Sequence, residues 1–303
     1  MITNAWKSIL RTSRFIGDHP LTRSNQGEAL FRYLSWQLRR RFTRAPKVIN
    51  FVNDSRLSIP PGAHGLTGFH YVGLPDFEDT AFMLHLLRPG DVFADVGANA
   101  GAWTMAAAAV GACVHAFEPI PSSFRLLEEN VALNNLGRSV QCHAVGVGSQ
   151  PSRLRFTTDH GAGNHVVPEN DTNLDTATVE VPIVALDEIF GETWPSVMKI
   201  DVEGWELEVI KGMVKILNRA ELLGLVIETF RHTNLHTPKL REMETILARQ
   251  GFTPMTYHPF ERRLEVGQYH DRLSDNTIYA RDTPEIHARL RTAAAFTILG
   301  QRI

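Results

Sequence analysis

The stretch Asp91-Val-Phe-Ala-Asp-Val-Gly-Ala-Asn-Ala-Gly101 sets an apolar run of strand length directly against a turn bounded by two glycines. Val92 to Val96 reads as a buried strand, and the Ala-rich segment 102–111 that follows reads as a helix. The same alternation continues outward. Val114 to Phe117 is a second strand, 122–135 a helix with Phe124, Leu127 and Val131 in register, and Val140 to Val147 a third strand. Short connections in the order β-α-β-α-β argue for a doubly wound, mostly parallel sheet, because right-handed crossovers place helices on both of its faces.

Beyond residue 150 the alternation breaks. Leu154 to Phe156 and Val179 to Ile183 look like paired strands around a polar loop, 159–178, whose length suggests a functional role. Val197 to Ile200 then reads as a strand, 205–217 as a helix, Leu223 to Ile227 as a strand and 237–249 as a helix. Phe252 to Tyr257 and Thr277 to Ala280 have no convincing helix between them, so they are expected to pair antiparallel. Ile286, Leu290, Ala294 and Ile298 predict a closing helix over 283–303.

Residues 1 to about 50 differ from the rest, with ten basic residues against Asp18 and Glu28 alone. Leu30, Leu34, Leu38, Phe31 and Phe42 recur at helical spacing over roughly 26–43, which predicts an amphipathic helix packed on the main domain with a solvated cationic side. Contact with an anionic substrate, with a partner protein, or weakly and peripherally with acidic lipid headgroups is the other use of such a helix. Pro75 to Glu78 predicts a helix start, with Asp76 as a capping carboxylate. The expected organisation is a basic extension over 1–69, a catalytic domain over 70–282 and the closing tail.

Composition excludes several classes. The chain has 303 residues, 43% hydrophobic and 21% charged, with a formal net charge of -2. That is too apolar for disorder and too neutral overall for a nucleic-acid binder. No apolar run is long enough to span a membrane, and no secretory signal is expected, which points to the cytoplasm. Cys113 and Cys142 sit in apolar runs and read as reduced core thiols.

The turn itself carries the chemistry. Gly97 and Gly101, with Ala98 and Asn99 between them, let the backbone approach a ligand closely. The dinucleotide fingerprint needs a glycine at 99, so a diphosphate cradle is not written here. This disfavours a nicotinamide-dependent oxidoreductase. Glu118 ends the second strand, where a carboxylate can accept both hydroxyls of a ribose. Asp95 on the strand before the turn suits an ammonium group, and together these residues favour S-adenosylmethionine. Pro119 and Ala144 complete the expected cofactor-binding set, with Asp201 shared between cofactor and acceptor.

Asp91 to Gly101, Ala116-Phe-Glu-Pro119, Leu126-Leu-Glu-Glu-Asn130 with Asn134, and Lys199-Ile-Asp-Val-Glu-Gly-Trp-Glu206 resemble the FkbM family of S-adenosylmethionine-dependent methyltransferases over roughly 70–282. The resemblance implies a seven-stranded class I methyltransferase sheet with an antiparallel last strand. It also implies O-methylation of a natural product, sugar or lipid-linked glycan.

An alcohol acceptor loses its proton as it is methylated, so a general base is expected at the carboxyl ends of the fourth and fifth strands. Asp201, Glu203 and Glu228 are the candidates. Glu203-Gly204 also reads simply as the turn into the next helix, with Glu203 and Glu206 favourable in its first turn. His165 in the polar loop is a further candidate, with His232, His236, His258 and His270 behind it. A divalent metal on Asp201 and Glu228 is conceivable by analogy with catechol-type methyltransferases, but no third acidic ligand is obvious, and no metal ligand set is favoured. The competing non-enzymatic reading is a nucleoside-binding scaffold that has lost its chemistry.

Overall fold

The structure is a computed structural model that describes residues 11–158, 163–167, 177–229, 237–267 and 275–303. After a helical segment at residues 11–18, the chain continues through helix α1 (Gln26–Phe42), the hairpin β1 (Lys47–Asn50) and β2 (Arg56–Ile59), and helices α2 (His64–Val72) and α3 (Phe77–Leu86). Then comes β3 (Val92–Val96), α4 (Ala102–Ala109), β4 (Cys113–Phe117), α5 (Pro121–Leu133) and β5 (Val140–His143). β6 (Gly146–Val147), β7 (Ser152–Thr157) and β8 (Thr178–Val184) form a small separate sheet. The short helix α6 (Leu186–Ile189) leads to β9 (Val197–Ile200), α7 (Glu206–Lys211), α8 (Val214–Leu217), β10 (Gly224–Glu228) and α9 (Pro238–Arg249). The chain closes with β11 (Thr253–His258), β12 (Arg263–Val266), β13 (Asn276–Ala280), α10 (Pro284–Arg291) and the hairpin β14 (Thr297–Ile298) and β15 (Gln301–Arg302).

The main sheet has the order β12-β11-β13-β10-β9-β3-β4-β5. β5, β4, β3, β9 and β10 run parallel, and β13 is antiparallel to both β10 and β11. The doubly wound sheet and its antiparallel insertion are as expected, but there are eight strands, not seven. The additional strand, β12, forms an edge hairpin with β11. Its four residues, Arg263-Leu-Glu-Val266, alternate polar and apolar only briefly, and only Leu264 is buried while Val266 faces outward.

β3 is buried along its whole length, and its side chains divide between two cores. Phe93 joins Met105 of α4 and Leu127 of α5 on one face, whereas Ala94 and Val96 join Ile210 of α7 and Leu247 of α9 on the other. Tyr33 and Trp36 of α1 belong to the first of these cores. The division expected at residue 70 falls inside α2.

Several local expectations are corrected. The third strand stops at His143, and Gly146-Val147 joins the small sheet instead. The helix expected over 205–217 breaks at Gly212, where a Cβ would lie 2.0 Å from the carbonyl oxygen of Gly148. The tail helix ends at Arg291, and Ile298 belongs to the terminal hairpin. Cys113 is exposed and Cys142 half-buried, so neither is a core thiol. On α1 the buried residues are Ala29, Tyr33 and Trp36, whereas Phe31, Leu34, Leu38 and Phe42 face outward. Asp76 occupies the N-cap position of α3 but its side chain makes no capping hydrogen bond.

Candidate active site

Sheet register lines the site residues up along one edge. Val96 pairs with Phe117 and with Ile200, and Ile200 pairs with Ile227. Gly97, Glu118, Asp201 and Glu228 are each the next residue along, so four adjacent strands deliver them to a common carboxyl edge. A cleft of about 280 Å³ opens there, lined by Gly97 to Ala100, Glu118 and Pro119 at one end and by Lys199, Asp201, Glu203 and Glu228 at the other. Its volume is near the lower end of the ~300–1,000 Å³ typical of small-molecule sites.

Gly97 and Gly101 adopt φ of 79° and 84°, and Asn99 sits at 50°. A Cβ on Gly97 would stand 1.8 Å from the carbonyl oxygen of Asp201, so only glycine permits the ends of β3 and β9 to meet this closely. The amides of Gly97 and Ala98 both donate to the carbonyl of Phe117, at 3.0 and 2.9 Å. Glu118 is 5% exposed, and its carboxylate accepts the amides of Asn99 and Ile120, each at 2.8 Å. Burial nevertheless pushes its carboxyl up to about 7. Pro119 lines the cleft beside it, whereas Ala144 is exposed and is not part of the lining.

Asp95 is fully buried and lies outside the cleft lining. Its Oδ2 accepts a 2.6 Å hydrogen bond from Thr104 of α4, and its Oδ1 is buried without a hydrogen-bond partner. Burial raises its pKa against the pull of Lys199.

The acidic end is organised around Lys199, a residue not singled out as a site candidate from sequence. Its ammonium is buried, donates to Asp201 Oδ2 at 2.7 Å and lies 5.5 Å from the centre of the Trp103 ring. Burial alone would lower its pKa, but attraction to Asp201 and Asp95 outweighs this and raises it. Lys199 in turn holds Asp201 below the usual carboxylate range, overcoming the opposite effect of burial. Glu228 shares a hydrogen bond with Asp201, and burial together with the Asp201 charge raises its pKa strongly. The pair therefore holds one proton, on Glu228, with Asp201 ionised toward Lys199.

Glu203 lies in the turn after β9 at φ 53°, an unusual conformation for a residue with a side chain. Burial and the neighbouring Asp201 push its carboxyl up to about 7. Oxygen atoms of Asp201, Glu203 and Glu228 lie within 4.8 Å of one another, which supplies the third acid that the sequence left unidentified. Glu206 serves the turn itself, because its Oε1 accepts the amides of Val202 and Gly204.

Asp76 faces this end of the cleft from α3, and burial, with Asp79 next, pushes its carboxyl up to about 7. Sequence alone marked it only as a cap. Leu66 and Phe69 of α2, Trp103 of α4 and Asn164 also line the cleft and were not foreseen. The signal available for Lys199 was a lone cation in the buried run Val197 to Ile200; Asp76 had none.

His165 borders Asn164 but is not in the lining; its amide donates to Thr157 Oγ1, and its ring contacts the Gly163 carbonyl. His258 pairs with Glu265 on the edge hairpin, away from the cleft. His232, His236 and His270, with loop residues 159–162 and 168–176, lie outside the described residues.

The family model described as the methyltransferase FkbM domain matches residues 95–254, which contain the glycine turn, Glu118 and the Lys199 to Glu228 cluster. The chain belongs to the FkbM methyltransferase family. Methyltransferase sdnD of Sordaria araneosa is 27% identical over 210 residues, covering 58% of this chain and 79% of that protein. The 31-O-demethyl-FK506 methyltransferase FkbM of Streptomyces tacrolimicus is 31% identical, covering 45% of this chain and 65% of its own. The hexuronic acid methyltransferase AglP of Haloferax volcanii is 34% identical over 45% of this chain and 55% of its own. The alignments to the latter two thus span less than two thirds of those proteins' own lengths. Neither the oxidoreductase nor the scaffold reading finds support among these proteins.

Proposed function

We propose that the chain is an S-adenosylmethionine-dependent O-methyltransferase acting on a hydroxyl of a natural product, a sugar or a glycan or lipid precursor. The observation that carries this reading is the single cleft joining the glycine turn and Glu118 to the Lys199, Asp201, Glu203 and Glu228 cluster. The residues fit such a cofactor. The bare Gly97 backbone lets the glycine turn lie against the Asp201 carbonyl, which brings the turn and the acidic cluster into one cleft, and Glu118 is held by two amides in an orientation suited to ribose hydroxyls. The excess of carboxylates at the other end complements a cationic ligand.

When bound, this cofactor supplies an electrophilic methyl group on a sulfonium centre. Trp103, Leu66 and Phe69 provide apolar walls that orient the acceptor and limit water. Glu203 accepts the acceptor's hydroxyl proton, because its pKa near 7 matches a base working at neutral pH. Glu228 donates to Asp201, and Lys199 balances the charge, so Asp201 stays ionised and can orient the acceptor or an ammonium group. A metal is not part of this reading, because one Asp201 oxygen is already taken by the Lys199 ammonium.

Incubation with methyl-labelled S-adenosylmethionine and fractionated cell extract is expected to label a hydroxyl-bearing small molecule or glycan. Asp201→Asn should abolish labelling while leaving the fold intact. Cofactor binding without transfer to any fraction would return the chain to the scaffold reading. Labelling should survive chelation; loss restored by magnesium would assign an ion to Asp201, Glu203 and Glu228.

Glu118→Ala is expected to weaken S-adenosylhomocysteine binding at least tenfold by calorimetry, since the ribose hydroxyls lose a charged acceptor worth about 1.5–3 kcal/mol. Unchanged affinity would remove the ribose assignment.

A further inference from the structure

Helix α1 has two apolar faces and only one is used. Ala29, Tyr33 and Trp36 are buried against the domain. Phe31, Leu34, Leu38 and Phe42 are 71, 61, 58 and 82% exposed. At 3.6 residues per turn these four fall within an arc of about 80°, roughly opposite the buried face. Four large apolar side chains aligned on one outward stripe are more than the scattered exposure of an ordinary surface.

Charge identifies what covers the stripe. On the helical wheel Arg39 and Arg41 lie on opposite sides of it, and Arg40 and Arg44 add to the cationic end. Among the described residues none of these four arginines has an ion pair. The helix carries one acid, Glu28, which is paired with Arg32 at 3.0 Å. An apolar stripe bordered by long cationic side chains matches a lipid surface, where phenyl and leucyl groups enter the acyl boundary and guanidinium groups reach back to phosphates.

The helix is also firmly mounted. Arg32 donates twice to the carbonyl of Tyr71 on α2, at 3.1 and 2.9 Å, and the rings of Tyr33 and Tyr71 meet edge-on at 5.2 Å. Among the described residues no helix is long and apolar enough to cross a membrane.

We propose that α1 docks the protein on the surface of an anionic bilayer through Phe31, Leu34, Leu38 and Phe42, with Arg39 and Arg41 on lipid phosphates. This inference does not depend on the methyl-transfer reading. Docking sets α2, which supplies Leu66 and Phe69 to the cleft wall, beside the membrane.

Vesicle flotation tests it. The full chain is expected to float with phosphatidylcholine–phosphatidylglycerol vesicles at least tenfold more than with phosphatidylcholine alone, and to lose this as salt rises from about 0.1 M to 1 M. Leu34→Glu with Leu38→Glu should reduce flotation at least tenfold, and Arg39→Glu with Arg41→Glu at least threefold. Phe42→Ser, at the last helical position, repeats the test with minimal disturbance, and unchanged thermal melting keeps the readout on the surface. Failure to float with anionic vesicles, or equal flotation of the Leu34→Glu, Leu38→Glu variant, overturns the proposal. So does a dimer in light scattering that the same variant splits, which would give the stripe to a second copy of the chain.

Discussion

Replacing Glu203 with glutamine is expected to lower kcat about 10²- to 10⁴-fold, the usual contribution of a positioned general base. Three other carboxyls face the same end of the cleft, and their electrostatics separate them. Asp201 is held low by Lys199, so it has little tendency to take a proton. Glu228 is raised far enough to remain protonated at neutral pH and has no lone charge to offer. Glu203 and Asp76 both sit near 7, and Glu203 lies with Asp201 and Glu228 within 4.8 Å. The wild-type kcat/KM should therefore rise with pH through about 7 and then level, because the base works only when ionised. Glu203→Gln should flatten this limb. Stability follows the opposite course. A carboxyl raised from 4.5 to about 7 by folding contributes stability that is full below the unfolded value and lost as pH rises through 7. The glutamine variant should therefore melt higher than the wild type at pH 8 and no higher at pH 4, which separates lost chemistry from lost structure. A pH limb that persists in Glu203→Gln and vanishes in Asp76→Asn would move the base to α3.

The parallel half of the sheet was legible because most of its strands are short, largely apolar runs bounded by turn residues, and the register then forced Gly97, Glu118, Asp201 and Glu228 onto one edge. Where local patterns were weak or ambiguous, legibility failed. β12 has one buried residue in four, and the helix after Trp205 breaks because Gly212 packs against the Gly148 backbone, a contact far away in sequence. The α1 periodicity was real but its direction was not readable. Two apolar faces share the helix, and the aromatic Tyr33 and Trp36, not the leucines, took the core side. Asp76 was hidden for a related reason. An acid before a helix is expected to cap it, and only the tertiary fold turns this carboxylate to the cleft.

Lys199→Met should destabilise the protein more than any exposed charge removal, because it leaves Asp201 and the buried Asp95 without their shared cation. Breaking a buried pair from one side costs about 3–5 kcal/mol, and the 31% exposure of the Asp201 side chain places the expectation near the lower value. With an unfolding entropy of about 2.1 cal/mol/K per residue, a loss of about 3 kcal/mol lowers Tm by roughly 5 °C. The methionine keeps the length and packing of the side chain against Trp103, so the effect reports on charge. Two further measurements fix the cause. The deficit should shrink as pH falls, since the stranded carboxyls relieve themselves by taking up protons, and it should widen again above pH 7. Adding Asp201→Asn to Lys199→Met should recover a substantial part of the loss, since the double variant no longer strands the Asp201 charge. Strictly additive losses from the two changes would mean that Lys199 and Asp201 do not stabilise each other, and the charge balance assigned to the acidic end of the cleft would fall with that result.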